Sequence, residues 1–123
     1  DTSVWIEFFQ NQKSDFTRRL RTLLREQRVI MIGMVMAEIL QRIKVSKEAQ
    51  LVKKNLEKLP YFEMTRDVWQ KASEISASLR KKGITIPLSD LIVASCALSE
   101  NYSVFTIDPH FEKVPGLKRY RPS

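Results

Sequence analysis

The stretch PLSDLIVASCALSENYSVFTID, residues 87–108, decides the fold, because an apolar helix and a short strand follow each other within it. Its first part, DLIVASCALSE (90–100), is apolar on nearly all sides, which predicts a helix that is buried all round. SVFT (103–106) has the side chains typical of a strand. A buried helix that leads into a strand indicates an α/β fold.

Outside this stretch, other short apolar runs predict further strands. VIMI (29–32) ends at Gly33, YFEM (61–64) follows Pro60, and GLKRY (116–120) predicts an edge strand. The segments between these runs have the apolar spacing of helices. Because strands alternate with helices, we expect a mainly parallel sheet, in which ligands bind at the carboxyl ends of the strands.

Polar residues mark where the helices should begin and end. Gly83 stands where the longest helix needs a C-terminal cap. Short polar side chains precede or open the helical segments, as N-caps do. The expected N-caps are Thr2 or Ser3, Ser14 or Asp15, Ser46, and Thr65.

Size and composition bound the class of protein. The chain has 123 residues and a mass of 14.4 kDa, which favours one domain. No apolar run reaches the roughly 20 residues of a membrane-spanning helix. The only cysteine, Cys96, cannot form an internal disulfide, which favours a reducing cytoplasm. With one cysteine and one histidine, a Cys/His zinc site within the chain is excluded, so a metal would be a hard cation held by carboxylates.

The chain is strongly basic. Twenty-one Lys and Arg residues against 14 acids give a net charge of +7, which favours partners that carry phosphate. The alternative is an ordinary surface with an imbalance of sign. The basic tail KRYRP (118–122) is open to the same two interpretations, a phosphate contact or a solvated terminus.

Four carboxylates stand out because of where they fall along the chain. Glu38 interrupts the apolar run GMVMAEIL, Asp90 opens the most apolar helix, and Asp108 follows the strand SVFT. Asp1 would hold the same kind of place if it ended a first strand. Each has an ordinary explanation, such as a charge at a helix N-terminus for Asp90 or an Asx turn for Asp108. One shared explanation is simpler: clustered carboxylates beyond strand ends can bind a divalent cation.

These residues also carry a resemblance to a known family. The ordered set DTSVWIEFF, MAEIL, GITIPLSDLIVASCAL and NYSVFTIDPHFEKVPGL resembles the PIN-domain family over essentially the whole chain. Within that family it is most similar to the small VapC-type toxins of toxin–antitoxin operons. The resemblance implies a three-layer α/β/α sandwich and a metal-dependent ribonuclease.

The family motifs fall on individual residues of this chain. By resemblance, an acidic quartet holds Mg²⁺ or Mn²⁺, and two hydroxyl residues beside it orient a carboxylate or a water; for Ser3 a plain helix cap is the alternative. The quartet is Asp1, Glu38, Asp90 and Asp108, and the hydroxyl residues are Ser3 and Thr106.

The resemblance further implies a mechanism and partners. A metal-activated water would attack an RNA phosphodiester, with one or two ions taking part. Homodimers and a cognate antitoxin that covers the active-site cleft are usual in the family.

In the family, apolar residues precede the first aspartate and form a buried strand. The predicted PIN domain of this chain, residues 1–123, lacks these residues, so we expect a short apolar segment before Asp1 in the natural protein. The alternatives are a non-catalytic RNA-binding or scaffold module on this fold, and a metal-dependent DNA nuclease or phosphatase.

Two further features have both an ordinary and a functional interpretation. Trp5, Phe8 and Phe9 could stack on RNA or bind an antitoxin, but aromatic residues at helical spacing favour the core. His110 follows Asp108 closely, and we expect it to be an exposed loop residue rather than part of the site.

Overall fold

The structure is a computed structural model that describes residues 1–121, so Pro122 at the end of the predicted basic tail lies outside the described residues. Its contacts group the chain into two compact units, Asp1–Glu63 and a second that begins at Met64. Each unit contains helices and one pair of short strands.

In the first unit, two strands stand among four helices. Strand β1 pairs with β2 in parallel, with Met31 opposite Tyr61 and Ile32 opposite Phe62. The backbone N–H of Met31 also donates a 2.8 Å hydrogen bond to the carbonyl of Pro60. In chain order the elements are α1 (Thr2–Gln10), α2 (Asp15–Arg25), β1 (Met31–Ile32), α3 (Gly33–Leu40), α4 (Ser46–Leu56) and β2 (Tyr61–Phe62).

Over residues 64–121, the second unit also has one parallel pair of strands, here with two α-helices and a 3₁₀ helix. Ser103 of β3 lies opposite Lys118 of β4, and Val104 lies opposite Arg119. Helix α5 packs along α6, the helix that was expected to be buried all round. The elements are α5 (Arg66–Lys81), α6 (Leu88–Glu100), β3 (Ser103–Val104), a 3₁₀ helix (Pro109–Lys113) and β4 (Lys118–Arg119).

The α/β class and the parallel pairing predicted from the sequence are confirmed. The strands are shorter than expected, with two residues each rather than four or five. VIMI pairs only through its last two residues, Met31 and Ile32, and helix α3 begins at Gly33, directly after β1. The strand thus ends where the helix starts, and this places Glu38 on the helix that leaves the strand end.

Two predicted N-caps are confirmed and two are wrong. Ser14 accepts a hydrogen bond from the backbone of Thr17, and Thr65 accepts one from the backbone of Val68. Helix α4 is capped by Val45 instead of Ser46, which is the first helical residue. The cap of α1 is Asp1 rather than Thr2 or Ser3, because both hydroxyl groups donate to carboxylates.

Helix α5 ends at the glycine that the sequence singled out. Gly83 has a φ of +77°, the left-handed conformation that side chains disfavour. The N–H of Ile84 donates to the carbonyl of Leu79 and the N–H of Gly83 donates to that of Arg80, both at 2.9 Å. This pair of bonds is a Schellman motif, which satisfies carbonyls that the helix end would leave open.

Helix α6 forms the centre of the second unit's core. Leu91 and Ala94 are fully buried, as is the hydroxyl-bearing Ser95. Ser95 donates a 2.7 Å hydrogen bond to the carbonyl of Leu91, so its burial leaves no donor unpaired. The expectation of a helix buried on nearly all sides is therefore confirmed, and the helix holds Asp90 on a rigid base.

The aromatic residues of α1 belong mainly to the core of the first unit. Trp5 is buried, Phe8 is half-buried and packs edge-on against it, and Phe9 is exposed at the end of the group. In the part of the chain that the structure describes, no helix is long and apolar enough to cross a membrane.

Candidate metal centre

Asp90 lies in the first turn of α6. The helix is capped by Pro87, whose carbonyl accepts hydrogen bonds from the backbone N–H groups of Asp90 and Leu91. The side chain of Asp90 is largely shielded, with 19% of its surface exposed. A carboxylate in the first turn of a helix interacts favourably with the positive end of the helix dipole. This interaction stabilises the negative charge of Asp90 at the start of an otherwise apolar helix.

Asp108 lies in the turn between β3 and the 3₁₀ helix. It caps that helix, since its Oδ1 accepts a 2.9 Å hydrogen bond from the backbone N–H of His110. Its own backbone N–H donates a 2.8 Å bond to Oγ1 of Thr106. Pro109 begins the helix, where a missing N–H costs no hydrogen bond. The Asx turn expected from the sequence is present, and it fixes the direction of the carboxylate.

His110 connects these two acids, which corrects the expectation of an exposed loop histidine. Its Nδ1 lies 2.9 Å from Oδ2 of Asp90 and 3.1 Å from Oδ1 of Asp108. The 3₁₀ helix turns the chain back immediately after Asp108, and Phe111, which is 1% exposed, anchors that turn in the core. Nδ1 of the imidazole is thereby directed toward Asp90 at the start of α6, while the ring stays partly exposed.

The three side chains form a group with the geometry of a metal site. One ligand atom each from Asp90, Asp108 and His110 lies within 4.8 Å of the others. Carboxylate oxygens are the preferred ligands of hard divalent cations, and a neutral imidazole nitrogen is a common ligand of transition metals. The residues present therefore fit a divalent cation.

In the first unit, Glu38 is held by a hydroxyl group. Oγ1 of Thr2 donates a 2.8 Å hydrogen bond to Oε1 of Glu38, which joins the first residue of α1 to the middle of α3. Thr2 is buried. From the sequence, Thr2 was predicted only as a helix cap, and its contact with Glu38 was not predicted.

Asp1 is held in a similar way. Oγ of Ser3 donates a short 2.6 Å hydrogen bond to Oδ1 of Asp1. Between the two interpretations of Ser3, the contact is the one expected for a hydroxyl that orients a carboxylate. Both motif acids of this unit thus accept a hydrogen bond from a neighbouring hydroxyl.

The four acids were predicted from the sequence, but in each unit one side chain that contacts an acid was not. The structure brings Asp90 and Asp108 together and adds His110; in the first unit it adds Thr2 beside Glu38. A signal for His110 was present in its place two residues after Asp108, because an Asx turn brings the i+2 backbone to the carboxylate. No comparable signal marked Thr2, which is 36 residues from its partner.

Cys96, the other classical metal-binding side chain, takes no part in the group. It is buried on α6, and this burial raises the pKa of its thiol to about 11. A thiol that stays protonated at neutral pH is neither a good ligand nor a reactive nucleophile. Cys96 is therefore a small side chain of the core.

Comparison with protein families gives one match that spans both units. The family model described as PIN domain matches residues 1–117. A curated relative, Ribonuclease VapC2 of Rickettsia felis, is 22% identical over 122 residues, which cover 95% of this chain and 91% of the relative.

Solved structures agree with this match. A crystal structure of VapBC2 from Rickettsia felis, bound to a DNA fragment from its promoter, superposes with a TM-score of 0.80 at 21% identity, over 98% of this chain and 94% of the other. DNA-bound VapBC from Salmonella typhimurium gives 0.82 at 21% identity, over 98% and 93%. FitAcB from Neisseria gonorrhoeae gives 0.75 at 19% identity, over 98% and 94%. At these identities the likeness shows a shared fold, and it extends along nearly the full chain.

Proposed function

Because this chain belongs to the PIN domain family, we propose that it is a divalent-metal-dependent endoribonuclease and the toxin of a toxin–antitoxin pair. The family match spans residues 1–117, and the relative named a ribonuclease aligns with nearly all of the chain. Both matches thus cover nearly the whole chain, and the proposal is made for the chain as a whole.

The observation that carries the proposal is the group formed by Asp90, Asp108 and His110. One oxygen from each of two carboxylates on different elements lies within 4.8 Å of the other, and both carboxylates contact the same imidazole nitrogen, at 2.9 and 3.1 Å. Like charges this close repel each other unless a cation or a hydrogen-bond donor compensates them. A bound divalent cation, Mg²⁺ or Mn²⁺, would compensate this repulsion, and the closeness of the two carboxylates therefore supports the proposal.

Family membership extends the ligand set to Asp1 and Glu38, the two motif acids of the first unit. A divalent cation bound by such acids supplies Lewis-acid polarisation of a phosphoryl oxygen and lowers the pKa of a water. The contribution of the chain is to hold the carboxylates in place. Ser3 does this for Asp1 and Thr2 for Glu38, while Thr106 accepts the backbone N–H of Asp108 and steadies its turn.

We propose RNA as the substrate, because the charge of the chain favours a polyanion and the curated relative is named a ribonuclease. The net charge of +7 favours a polyanion, and α2 adds basic side chains to the surface of the first unit. Arg18 and Arg25 are exposed on that helix, while Leu20 and Leu23 form its buried face. Phosphate contacts of this kind give affinity that falls with rising salt concentration and carry little sequence information.

Cleavage of RNA by the purified protein tests the activity. We expect hydrolysis of single-stranded RNA that needs Mg²⁺ or Mn²⁺ and is abolished by EDTA, with no cleavage of DNA of the same sequence. Asp90→Asn should lower the rate by more than the roughly 10–100-fold that loss of an outer-shell partner causes. Asp67→Asn is the matched control, because Asp67 is an exposed aspartate in the first turn of α5. Equal rates for the two variants, or cleavage that persists in EDTA, would refute the proposal.

The toxin role and the assembly have separate tests. We propose a homodimer and a cognate antitoxin in the cytoplasm, in line with the VapBC complexes among the structural relatives. Expression of the chain alone should arrest growth, and expression with the small protein encoded beside it should restore growth. Light scattering of the pure protein should give twice the 14.4 kDa of one chain. Growth arrest by the Asp90→Asn variant would contradict a toxin that acts through cleavage.

A further inference from the structure

We propose that Nδ1 of His110 is itself a ligand of the divalent cation, so that the site favours first-row transition-metal ions such as Mn²⁺ over Mg²⁺. This inference rests on the proposed function, because it concerns the same ion and the same carboxylates. It assigns a role to a side chain outside the acidic quartet of the family motifs, and it narrows the choice between the two metals.

The distances in the group suit neighbouring positions around one ion. Nδ1 of His110 lies 2.9 Å from Oδ2 of Asp90 and 3.1 Å from Oδ1 of Asp108. In an octahedral site, ligands about 2.1 Å from the ion and at right angles to each other are about 3.0 Å apart. Nδ1 therefore has the spacing of a neighbouring ligand to one oxygen of each carboxylate.

The backbone holds the ring in this place. The N–H of His110 donates to Oδ1 of Asp108, and the next residue, Phe111, is buried in the core. The backbone of His110 is thus held on one side by the hydrogen bond to Asp108 and on the other by the buried side chain of Phe111. The imidazole is 39% exposed, which leaves room for water molecules that would complete the coordination of an ion.

The chemistry of the donor decides which ion such a site prefers. Mg²⁺ takes oxygen ligands and gives up its waters reluctantly, whereas first-row transition metals accept imidazole nitrogen readily. A site with one nitrogen and carboxylate oxygens therefore gains more affinity for Mn²⁺ than for Mg²⁺. The competing role is that of a positioning residue, in which His110 donates a hydrogen bond to Asp90 and touches no ion.

Metal titrations of two variants separate these roles. Asn in place of His110 keeps a hydrogen-bond donor near Asp90 but removes the aromatic nitrogen, and Ala removes both. We expect both His110→Asn and His110→Ala to lower the preference for Mn²⁺ over Mg²⁺ by about tenfold, as measured by calorimetry. If His110 only positions the carboxylates, the affinities for Mn²⁺ and Mg²⁺ should fall equally in His110→Ala and return to the parent values in His110→Asn. That result would overturn the inference. The Asp67→Asn variant should leave both affinities unchanged.

Electron spin resonance of bound Mn²⁺ gives a readout that is independent of activity. His110 is the only histidine of the chain, so in protein without an affinity tag any imidazole nitrogen coupled to Mn²⁺ must come from it. We expect a nitrogen coupling that changes when histidine is labelled with ¹⁵N and disappears in His110→Asn.

The two proposals fail in different ways in this experiment. Mn²⁺-dependent RNA cleavage without imidazole coupling would overturn the histidine ligand and leave the nuclease standing. Imidazole coupling without RNA cleavage would support the ligand and overturn the nuclease. If Mn²⁺ does not bind while Mg²⁺ supports RNA cleavage, the histidine ligand is overturned and the nuclease stands.

Discussion

The hydroxyl of Thr2 donates a 2.8 Å hydrogen bond to Oε1 of Glu38, and this bond joins the start of α1 to α3. Glu38 is half-buried on a helix whose neighbouring positions are apolar, so its carboxylate needs a donor that is not water. Thr2 is buried and supplies that donor. The contact explains how the first unit keeps a motif carboxylate in one orientation.

Replacing Thr2 with Val should therefore impair cleavage while the fold is retained. Val has nearly the same shape, so the substitution removes the hydrogen bond without opening a cavity. We expect a loss of about tenfold in metal-dependent cleavage and a loss of about 1 kcal/mol in the free energy of unfolding. Kinetics and urea denaturation measure the two effects, and Thr2→Ser, which keeps the hydroxyl, should stay near the parent in cleavage. A fully active Thr2→Val variant would show that the orientation of Glu38 does not matter for the reaction.

Ser3 should have a comparable role toward Asp1. Its hydroxyl donates a 2.6 Å hydrogen bond to Oδ1 of Asp1, and Ala removes that donor. We expect Ser3→Ala to weaken metal binding about tenfold in a calorimetric titration, and Ser3→Thr to restore most of it. Unchanged metal binding in Ser3→Ala would contradict the orienting role of the hydroxyl.

These contacts show why the sequence predicted the site only in part. Periodicity placed Asp90 at the start of a buried helix and Asp108 beyond a strand, because both positions follow from local patterns. The partners of the acids depend on how elements meet in space. His110 is 20 residues from Asp90, and Thr2 is 36 residues from Glu38, so no local pattern links them.

For the fold, too, local features were predicted from the sequence and features that depend on distant residues were not. Helix positions and two caps followed from side chains that act within one turn, such as Ser14 and Thr65. The strand lengths did not, because β-pairing depends on a distant partner: VIMI has the composition of a longer strand, yet only Met31 and Ile32 pair with β2. Apolar composition predicts burial, while the partner strand decides where pairing stops.

Metal binding should stabilise the protein by an amount that grows with the logarithm of the metal concentration relative to its Kd. A ligand that binds only the folded state adds about 2.7 kcal/mol at a concentration 100 times its Kd. We expect Mn²⁺ to raise the midpoint of thermal unfolding of the parent, and to leave that of Asp108→Asn nearly unchanged. The matched control is Asp15→Asn, because Asp15 is an exposed aspartate that pairs with Arg18 in the first unit. An equal rise in all three proteins would indicate that Mn²⁺ binds elsewhere.

Gly83 should contribute to the stability of the protein only through its backbone conformation. Its φ is +77°, and an added Cβ would meet no atom within 4 Å, so a substitution there tests conformation without a steric clash. We expect Gly83→Ala to destabilise the protein by about 1–2 kcal/mol, and Gly83→Asn by less, because Asn tolerates the left-handed region better. Urea denaturation gives both values, with the neighbouring Lys82→Ala as a control within about 0.5 kcal/mol of the parent. If Ala and Asn proved equal to Gly, the Schellman motif at the end of α5 would contribute nothing through its glycine.

Cys96 should make the stability of the protein depend on pH in the alkaline range. Burial raises the pKa of its thiol from 9.0 to about 11. Between these values the unfolded chain loses the thiol proton while the folded chain keeps it, so the stability is full below about pH 9 and falls as the pH rises toward 11. The fall attributable to Cys96 is at most about 2–3 kcal/mol.

The Cys96→Ala variant isolates this contribution. Alanine leaves a small cavity, which lowers stability by an amount that does not change with pH, so the difference between variant and parent should shrink as the pH rises from 9 to 11. Urea denaturation across this range measures the difference. In the folded parent at neutral pH, a thiol reagent should react with Cys96 far more slowly than in urea, because the thiol is buried and protonated. A constant difference between the two proteins, together with rapid labelling of the folded parent, would show that Cys96 is accessible to solvent in the native state.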